Sequence, residues 1–246
     1  MTSTISPSII MRTWEYGETD LIVSFFTEDR GWLKGIAKGG RKSRNRFVNC
    51  LDLFCLCSLE YEIKQGRDLC FLQSGKLIQS FPGIRTTFSS LSLASYMLEV
   101  MEVLFPAGTA DRIAFKLFRG SLSAMDRGCD LVRLRAFFEA RVLSLGGYAI
   151  DFSRCCQCGR KYAGQGTAVF NRVKGGISCL KCLGESKSAP GLQPSMIALL
   201  KKLQSAPVEE LPPMDWDATG AGRICAVLTL HMEYRIGRRL KSSKYL

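Results

Sequence analysis

The sequence predicts an α+β protein, a small five-stranded barrel at the N-terminus followed by an α-helical domain that carries a metal-binding module. Three observations predict it. Short segments rich in branched and aromatic residues crowd positions 8 to about 80, the hydrophobic period then becomes helical, and two Cys-x2-Cys pairs interrupt the helical part. With 246 residues, 46% of them hydrophobic, the chain is long enough for two modest domains, which we place at 1–80 and 81–246 with the module at about 152–186.

The strand segments are IIMRTW, LIVSFF, WLKGIAK, FCLCSLEY and LCFLQSGKLI, and EYGETD and TEDRG supply turn chemistry between the first three. Five strands in so short a span suit a closed barrel of the oligonucleotide-binding (OB) type, although periodicity alone leaves an SH3-like barrel open. After Phe81-Pro82-Gly83 the apolar residues fall at helical spacing. Leu93, Tyr96, Met97, Val100, Met101 and Leu104 form one stripe, Ile113, Leu117 and Phe118 a second, and Leu131, Leu134, Phe138, Val142 and Leu145 a third. The third ends at Gly146-Gly147, where a left-handed cap is expected. Pro194 opens a helix through Met196, Leu199, Leu200 and Leu203, PVEELPPMDWD is a connection, and Ile224 to Leu240 is a closing helix.

Cys155-x2-Cys158-Gly159 and Cys179-x2-Cys182 bracket GTAVFNRVKGGIS, which reads as a β-hairpin. Two such pairs about twenty residues apart have the spacing of a tetrahedral four-cysteine zinc site, with thiolates at roughly 2.3 Å from one structural Zn2+. A closed thiolate shell leaves no position for substrate, so the ion's work is to hold the loop in shape. Cys156 is the alternative to Cys155 as ligand. Cys50, Cys55, Cys57, Cys70, Cys129 and Cys225 read as small buried hydrophobes. The odd total of 11 cysteines argues for reduced thiols rather than a secreted disulfide framework. No window of about 18 apolar residues occurs, and MTSTISPSII lacks a basic flank before an apolar core, so the expected address is cytoplasmic.

A net charge of +12 implies an anionic partner, and the charge is concentrated. Arg30, Lys34, Lys38, Arg41, Lys42, Arg44 and Arg46 follow one another with no acidic residue between them, and Gly35, Gly39 and Gly40 lie inside the run. A basic run is most simply a solvated face. Its place between two barrel strands, its glycines and the nearby Phe25, Phe26, Trp32 and Phe47 instead fit single-strand binding, in which cations track phosphates and aromatic faces stack on bases. Most of these aromatics should be barrel core, and only an outward-pointing one, Trp32 before the phenylalanines, could stack. With most of the run on phosphates, log K should fall against log salt with a slope of roughly −4 to −5.

Other motifs carry less. Gly35-x4-Gly40 approaches a phosphate loop, but Arg41 stands where lysine is required and no helix is expected to follow. His231, the one histidine, lies on an apolar helical face and reads as a packed residue rather than a base. Glu209-Glu210 fall in the proline-rich connection, where solvation accounts for them. No catalytic constellation is present, so the expectation is a non-enzyme. A zinc-containing protein-protein adaptor and an RNA-binding factor are the alternatives to a DNA-binding role.

YGETDLIVSFFTEDRGWLKGIAKGGRKSRNRF, FFEARVLSLGGYAIDFSRCCQCG and the terminal LKSSKYL, in that order, resemble the RecO family of bacterial recombination mediators over nearly the whole chain. The resemblance implies an N-terminal OB fold, a helical domain with a zinc module and no catalytic turnover. It implies binding to single- and double-stranded DNA, annealing of strands coated with single-strand-binding protein, loading of RecA together with RecR, and a nucleoid-associated location. The motif positions imply DNA contacts at Lys38, Arg41, Lys42, Arg44 and Arg46, with Lys34 and Arg12, and metal ligation by Cys155, Cys158, Cys179 and Cys182. The family also docks the acidic C-terminal tail of single-strand-binding protein on its helical domain. Arg133, Arg135, Phe138 and Arg141 have suitable types for this at helical spacing.

Overall fold

A computed structural model describes residues 3–64, 66, 69–182, 191–208, 216 and 218–246. Most of the proline-rich connection, with Glu209 and Glu210, and positions 183–186 of the module therefore lie outside the described residues. The chain divides into two compact units, Met1–Gly128 and Cys129–Leu246.

The first unit opens with β1 (Thr4–Tyr16), β2 (Asp20–Thr27) and β3 (Gly31–Ala37), continues with β4 (Leu56–Glu62) and β5 (Cys70–Gln79), and closes as a barrel of order β1-β2-β3-β5-β4. β1 pairs with both β2 and β4, and the parallel pairing of β3 with β5 completes the ring. This is the crossed order of a five-stranded OB-type barrel. The register places Ile10 opposite Phe25 and Thr13 opposite Val23, while Arg12, Trp14 and Lys34 fall on the alternate face. The bulge between Ile10 and Arg12 bends β1 where it leaves one partner strand and continues with the other.

Ile10, Val23, Phe25, Leu59, Tyr61 and Leu72 fill the barrel, with the Phe25 and Tyr61 rings 5.7 Å apart between centroids. Phe47, Cys50, Leu51 and Cys55 join the same core from the segment between β3 and β4. The long connection that carries the basic run is thus also the stopper of the barrel.

Two helices complete this unit, α1 (Phe88–Leu104) and α2 (Arg112–Asp126). Thr87 and Asp111 cap them, each accepting a hydrogen bond from the backbone N–H three residues on. Phe26 points out of the barrel but is buried, stacked on Phe115 of α2 at 6.3 Å. Ile113 departs from its predicted stripe. It is 49% exposed, because the buried face of α2 is instead Ala114, Phe115, Leu117, Phe118 and Leu122.

The second unit packs α3 (Leu131–Leu145) against α4 (Pro194–Ser205) and α5 (Ala218–Ile236). Gly147, at φ +81°, supplies the expected left-handed cap of α3, and Tyr148 N–H returns to Leu143 O at 2.7 Å. α5 ends four residues before the expected Leu240, because Gly237 at φ +69° breaks the helix. A small sheet of order β6-β8-β7-β9 forms from β6 (Asp151–Cys155), β7 (Ala168–Asn171), β8 (Gly176–Ser178) and β9 (Gly191–Leu192), and β7 with β8 is the predicted hairpin. No helix among the described residues is long and apolar enough to cross a membrane.

Candidate functional site

The basic run leaves β3 and crosses the barrel wall as a short 3-10 turn and a loop. Phe47 is only 4% exposed and sits under the run, while Lys34, Lys38, Arg41, Lys42, Arg44 and Arg46 are exposed. The backbone between them is tied down. Gly39 N–H donates to Asp20 Oδ1 at 2.8 Å, Arg41 N–H to Thr19 O at 3.0 Å, and Arg46 O accepts from Gly75 N–H at 2.7 Å. Ser43 Oγ accepts from the N–H groups of Arg46 and Phe47.

The glycines serve this packing rather than freedom of movement. Gly39 holds φ +65°, and a Cβ on Gly35 would lie 2.7 Å from Cys70 Sγ inside the barrel wall. The expectation that these glycines let the backbone follow a ligand gives way to a loop whose shape is already set.

Two of the seven predicted contact residues hold carboxylates. Arg12 makes a two-pronged pair with Glu102 at 2.8 and 3.0 Å, and this hydrogen bonding raises its pKa. Arg41 pairs with Glu15 at 3.0 Å. Both arginines are substantially exposed, so each pair is worth about 0–1 kcal/mol, weak enough for a phosphate to displace the carboxylate. Lys34, Lys38, Lys42, Arg44 and Arg46 have no acidic partner among the described residues. The Arg46 guanidinium donates to Lys38 O and lies 5.4 Å from the Phe47 ring centroid, which holds it along the loop.

As expected, most of the aromatic residues near the run belong to the core. Phe25, Phe26 and Phe47 are buried, and Trp32 is half-buried with its indole N–H donating to Ser24 Oγ. Trp14, which sequence reasoning passed over, is 42% exposed. The Lys34 ammonium lies 5.8 Å from the Trp14 ring and 5.3 Å from the Trp32 ring, so a cation sits against two indole faces. A signal for Trp14 was available. In RTWEYGE the aromatic residues Trp14 and Tyr16 alternate with Thr13 and Glu15, so neither face of this strand end is a continuous aliphatic stripe, and residues 12–16 are all exposed. Arg12, Trp14, Glu15, Arg41 and Arg44 line a cleft of about 1050 Å³ in this unit, floored by Phe47, Leu51, Phe54 and Leu98.

In the second unit the sulfurs of Cys155, Cys158, Cys179 and Cys182 all lie within 4.8 Å of one another, and Cys158 and Cys179 are 3.9 Å apart. Four sulfurs at roughly 2.3 Å from one ion would stand about 3.8 Å from each other, so the donor set fits a tetrahedral metal centre. Cys156 is not in the group, its Sγ lying 3.4 Å from Ser178 Oγ. Two tight turns build the site. Gly159, at φ +73°, lets its N–H reach Cys155 O at 2.9 Å, and Cys182 N–H reaches Cys179 O at 2.9 Å.

The N–H groups exposed by these turns aim at sulfur. That of Cys158, followed by those of Cys179 and Gln157, pulls the Cys155 thiol down to about 6, and that of Cys182 lowers Cys179. Cys182 is pushed up to about 12 by its sulfur neighbours Cys158 and Cys179, since so many thiolates cannot crowd together without a cation. These four cysteines could hold a divalent metal ion in place of those protons.

The residues considered for protein docking are brought together around α3, as internal braces. Phe138 is fully buried. Arg133 Nε donates to Trp216 O at 2.6 Å, Arg135 bridges Glu139 and Thr229 at 2.9 and 2.8 Å, and Arg141 donates to Gln204 O. An aromatic slot flanked by free cations is not what these four side chains form. His231 is buried, its Nε2 lies 2.8 Å from Tyr148 O, its ring stands edge-on to Phe170, and burial lowers its pKa.

A closed OB-type barrel with an outward basic loop, in a chain whose helical unit holds four convergent cysteines, has the architecture of nucleic-acid-handling proteins. Two family models cover nearly all of the chain, Recombination protein O N terminal over residues 1–81 and Recombination protein O C terminal over residues 85–244. The chain belongs to the RecO family, whose members are DNA repair mediators rather than enzymes. It is 34% identical to DNA repair protein RecO of Syntrophus aciditrophicus (strain SB), across 96% of this chain and 92% of that one. Its similarity to DNA repair protein RecO of Rubrobacter xylanophilus is 32% identity across 83% and 82%, and to that of Syntrophotalea carbinolica 33% across 72% and 69%.

Proposed function

We propose that this protein binds single- and double-stranded DNA through the basic loop of its barrel and anneals complementary strands. The observation that carries the reading is the set of cations Lys34 on β3 and Lys38, Lys42, Arg44 and Arg46 on the loop that follows, exposed and without carboxylate partners among the described residues, over an underside that is barrel core. Bringing two polyanions together is chiefly an electrostatic problem, and a surface that neutralises phosphate lowers that barrier without an active site. Arg41 and Arg12 add to the surface when a phosphate displaces Glu15 and Glu102. Trp14 beside Lys34 supplies an aromatic face for a base.

Cys155, Cys158, Cys179 and Cys182 hold one structural Zn2+, which fixes β6, the β7–β8 hairpin and the turn at Cys182 and takes no part in chemistry. Family membership supports placing the annealing in recombinational gap repair, where the protein acts with RecR to load RecA on DNA coated by single-strand-binding protein. The direct test is annealing of complementary oligonucleotides by a variant with Lys38, Arg41, Lys42, Arg44 and Arg46 changed to alanine. The expected result is a slower rate with a shallower salt dependence, and an unchanged rate and slope would remove the mechanism.

A further inference from the structure

The second unit carries its own excess of positive charge, in two segments that the fold brings together. Between Asp151 and Cys182 the sequence has Arg154, Arg160, Lys161, Arg172, Lys174 and Lys181 against the single acid Asp151. From Glu233 to the C-terminus it has five basic residues against Glu233 alone. The tip of the β7–β8 hairpin lies directly under the end of α5. Gly175, at φ +65°, approaches so closely that a Cβ there would fall 2.0 Å from Arg235 Nη2 and 3.2 Å from His231 Cε1.

Arg172 and Lys174 flank that contact and are exposed. Neither they nor Arg235 has a carboxylate partner among the described residues. Arg239 forms an ion pair with Glu233 at 3.2 Å. The C-terminal end of a helix carries about half a negative charge, which the single cation Arg235 is enough to offset, so Arg172 and Lys174 remain available. Tyr234 is 43% exposed with the Arg235 guanidinium 5.8 Å from its ring centroid. Cations beside an exposed aromatic ring are the pairing that phosphates and bases require.

We propose that the hairpin tip and the end of α5 form a second polynucleotide-binding surface, which takes the phosphate backbone of a strand other than the one held by the barrel loop. The inference rests on the annealing reading, for which it supplies the place of the second strand. Arg172 and Lys174 meet phosphates, Tyr234 offers a stacking face, and Arg235 fixes the hairpin to the helix so that the cations act together.

The test uses the full-length chain and two short oligothymidylates that cannot pair, one with a donor dye and one with an acceptor. Wild type should bring the two together and give energy transfer. Arg172→Glu with Lys174→Glu should abolish the transfer while anisotropy shows the first strand still bound, and Arg172→Gln with Lys174→Gln should lower the salt slope of transfer by about 1.4, two contacts at about 0.7 each. Both side chains are exposed, so the thermal melt should not move. Transfer at the wild-type level in the glutamate variant would overturn the proposal, and is also the outcome if this surface serves an acidic protein instead. Lys42→Glu with Arg44→Glu separates the two readings. If that variant holds the first strand as wild type does, the barrel-loop reading fails, whereas the hairpin surface stands or falls on its own pair of variants.

Discussion

The basic loop and the cysteine module are both irregular segments between strands, yet they hold their shapes by opposite means. The loop is fixed from below, by Phe47, Cys50 and Leu51 in the barrel core and by backbone hydrogen bonds to Thr19, Asp20 and Gly75. The module buries Phe152, Val169, Phe170 and Ile177 from its strands, but its two cysteine turns are exposed or half-buried apart from Cys155 and gather four sulfurs within 4.8 Å. A surface meant to present charge is best supported by apolar burial, which leaves Lys38, Lys42 and Arg44 without a carboxylate partner among the described residues and Arg41 in one weak pair. Turns that lie outside the apolar core of their own sheet need a cross-link to hold them together.

The largest expected effect tests the cross-link. Cys158→Ser with Cys182→Ser should remove the bound metal, measured by elemental analysis, and release the amide protection of β6 to β8. Structural zinc is worth about 10–16 kcal/mol of folding free energy to small modules. Amides that stay protected in the metal-free variant would show that the sheet does not depend on the cysteines. Next comes the loop's stopper. Phe47→Ala should destabilise the first unit by about 3–5 kcal/mol in chemical denaturation, because it opens a cavity under the cations, and should weaken DNA binding even at temperatures where the barrel is folded.

Trp14→Ala should cost about 1–3 kcal/mol of single-strand affinity if a base stacks there, read by titration of an oligonucleotide, with little change in the salt slope. The smallest effect concerns the second unit alone. Burial lowers the pKa of His231 below its ordinary 6.5, so the folded state holds it neutral while the unfolded chain takes up a proton. Its stabilising contribution is therefore complete above about pH 6.5 and is lost as the pH falls, at about 1.4 kcal/mol per unit until the folded pKa is reached. Thermal melts from about pH 7 to 5 should decline, and His231→Gln should flatten that decline.

Much of this was legible in the sequence. The five strands, the change of period after Phe81, the cap at Gly147 and the four-cysteine grouping all follow from local patterns that tertiary packing did not override. The functions of the loop glycines were not legible, because Gly35 is required by Cys70 across a parallel strand pair that no local pattern encodes. Trp14 was not picked out for the same reason, since its exposure depends on strand pairing that the local sequence does not encode. Arg133, Arg135 and Arg141 looked like surface charge, but their acceptors, Trp216 O, Thr229 and Gln204 O, come from segments some 60 to 95 residues away.

The central claim is that the outward cations of the barrel loop exist to meet phosphates, and the salt dependence of single-strand binding tests it most directly. With Lys38, Arg41, Lys42, Arg44 and Arg46 all changed to alanine, the slope of log K against log salt should become shallower by about 3.5, five contacts at about 0.7 each. A variant that keeps the wild-type slope would mean that these side chains touch no DNA.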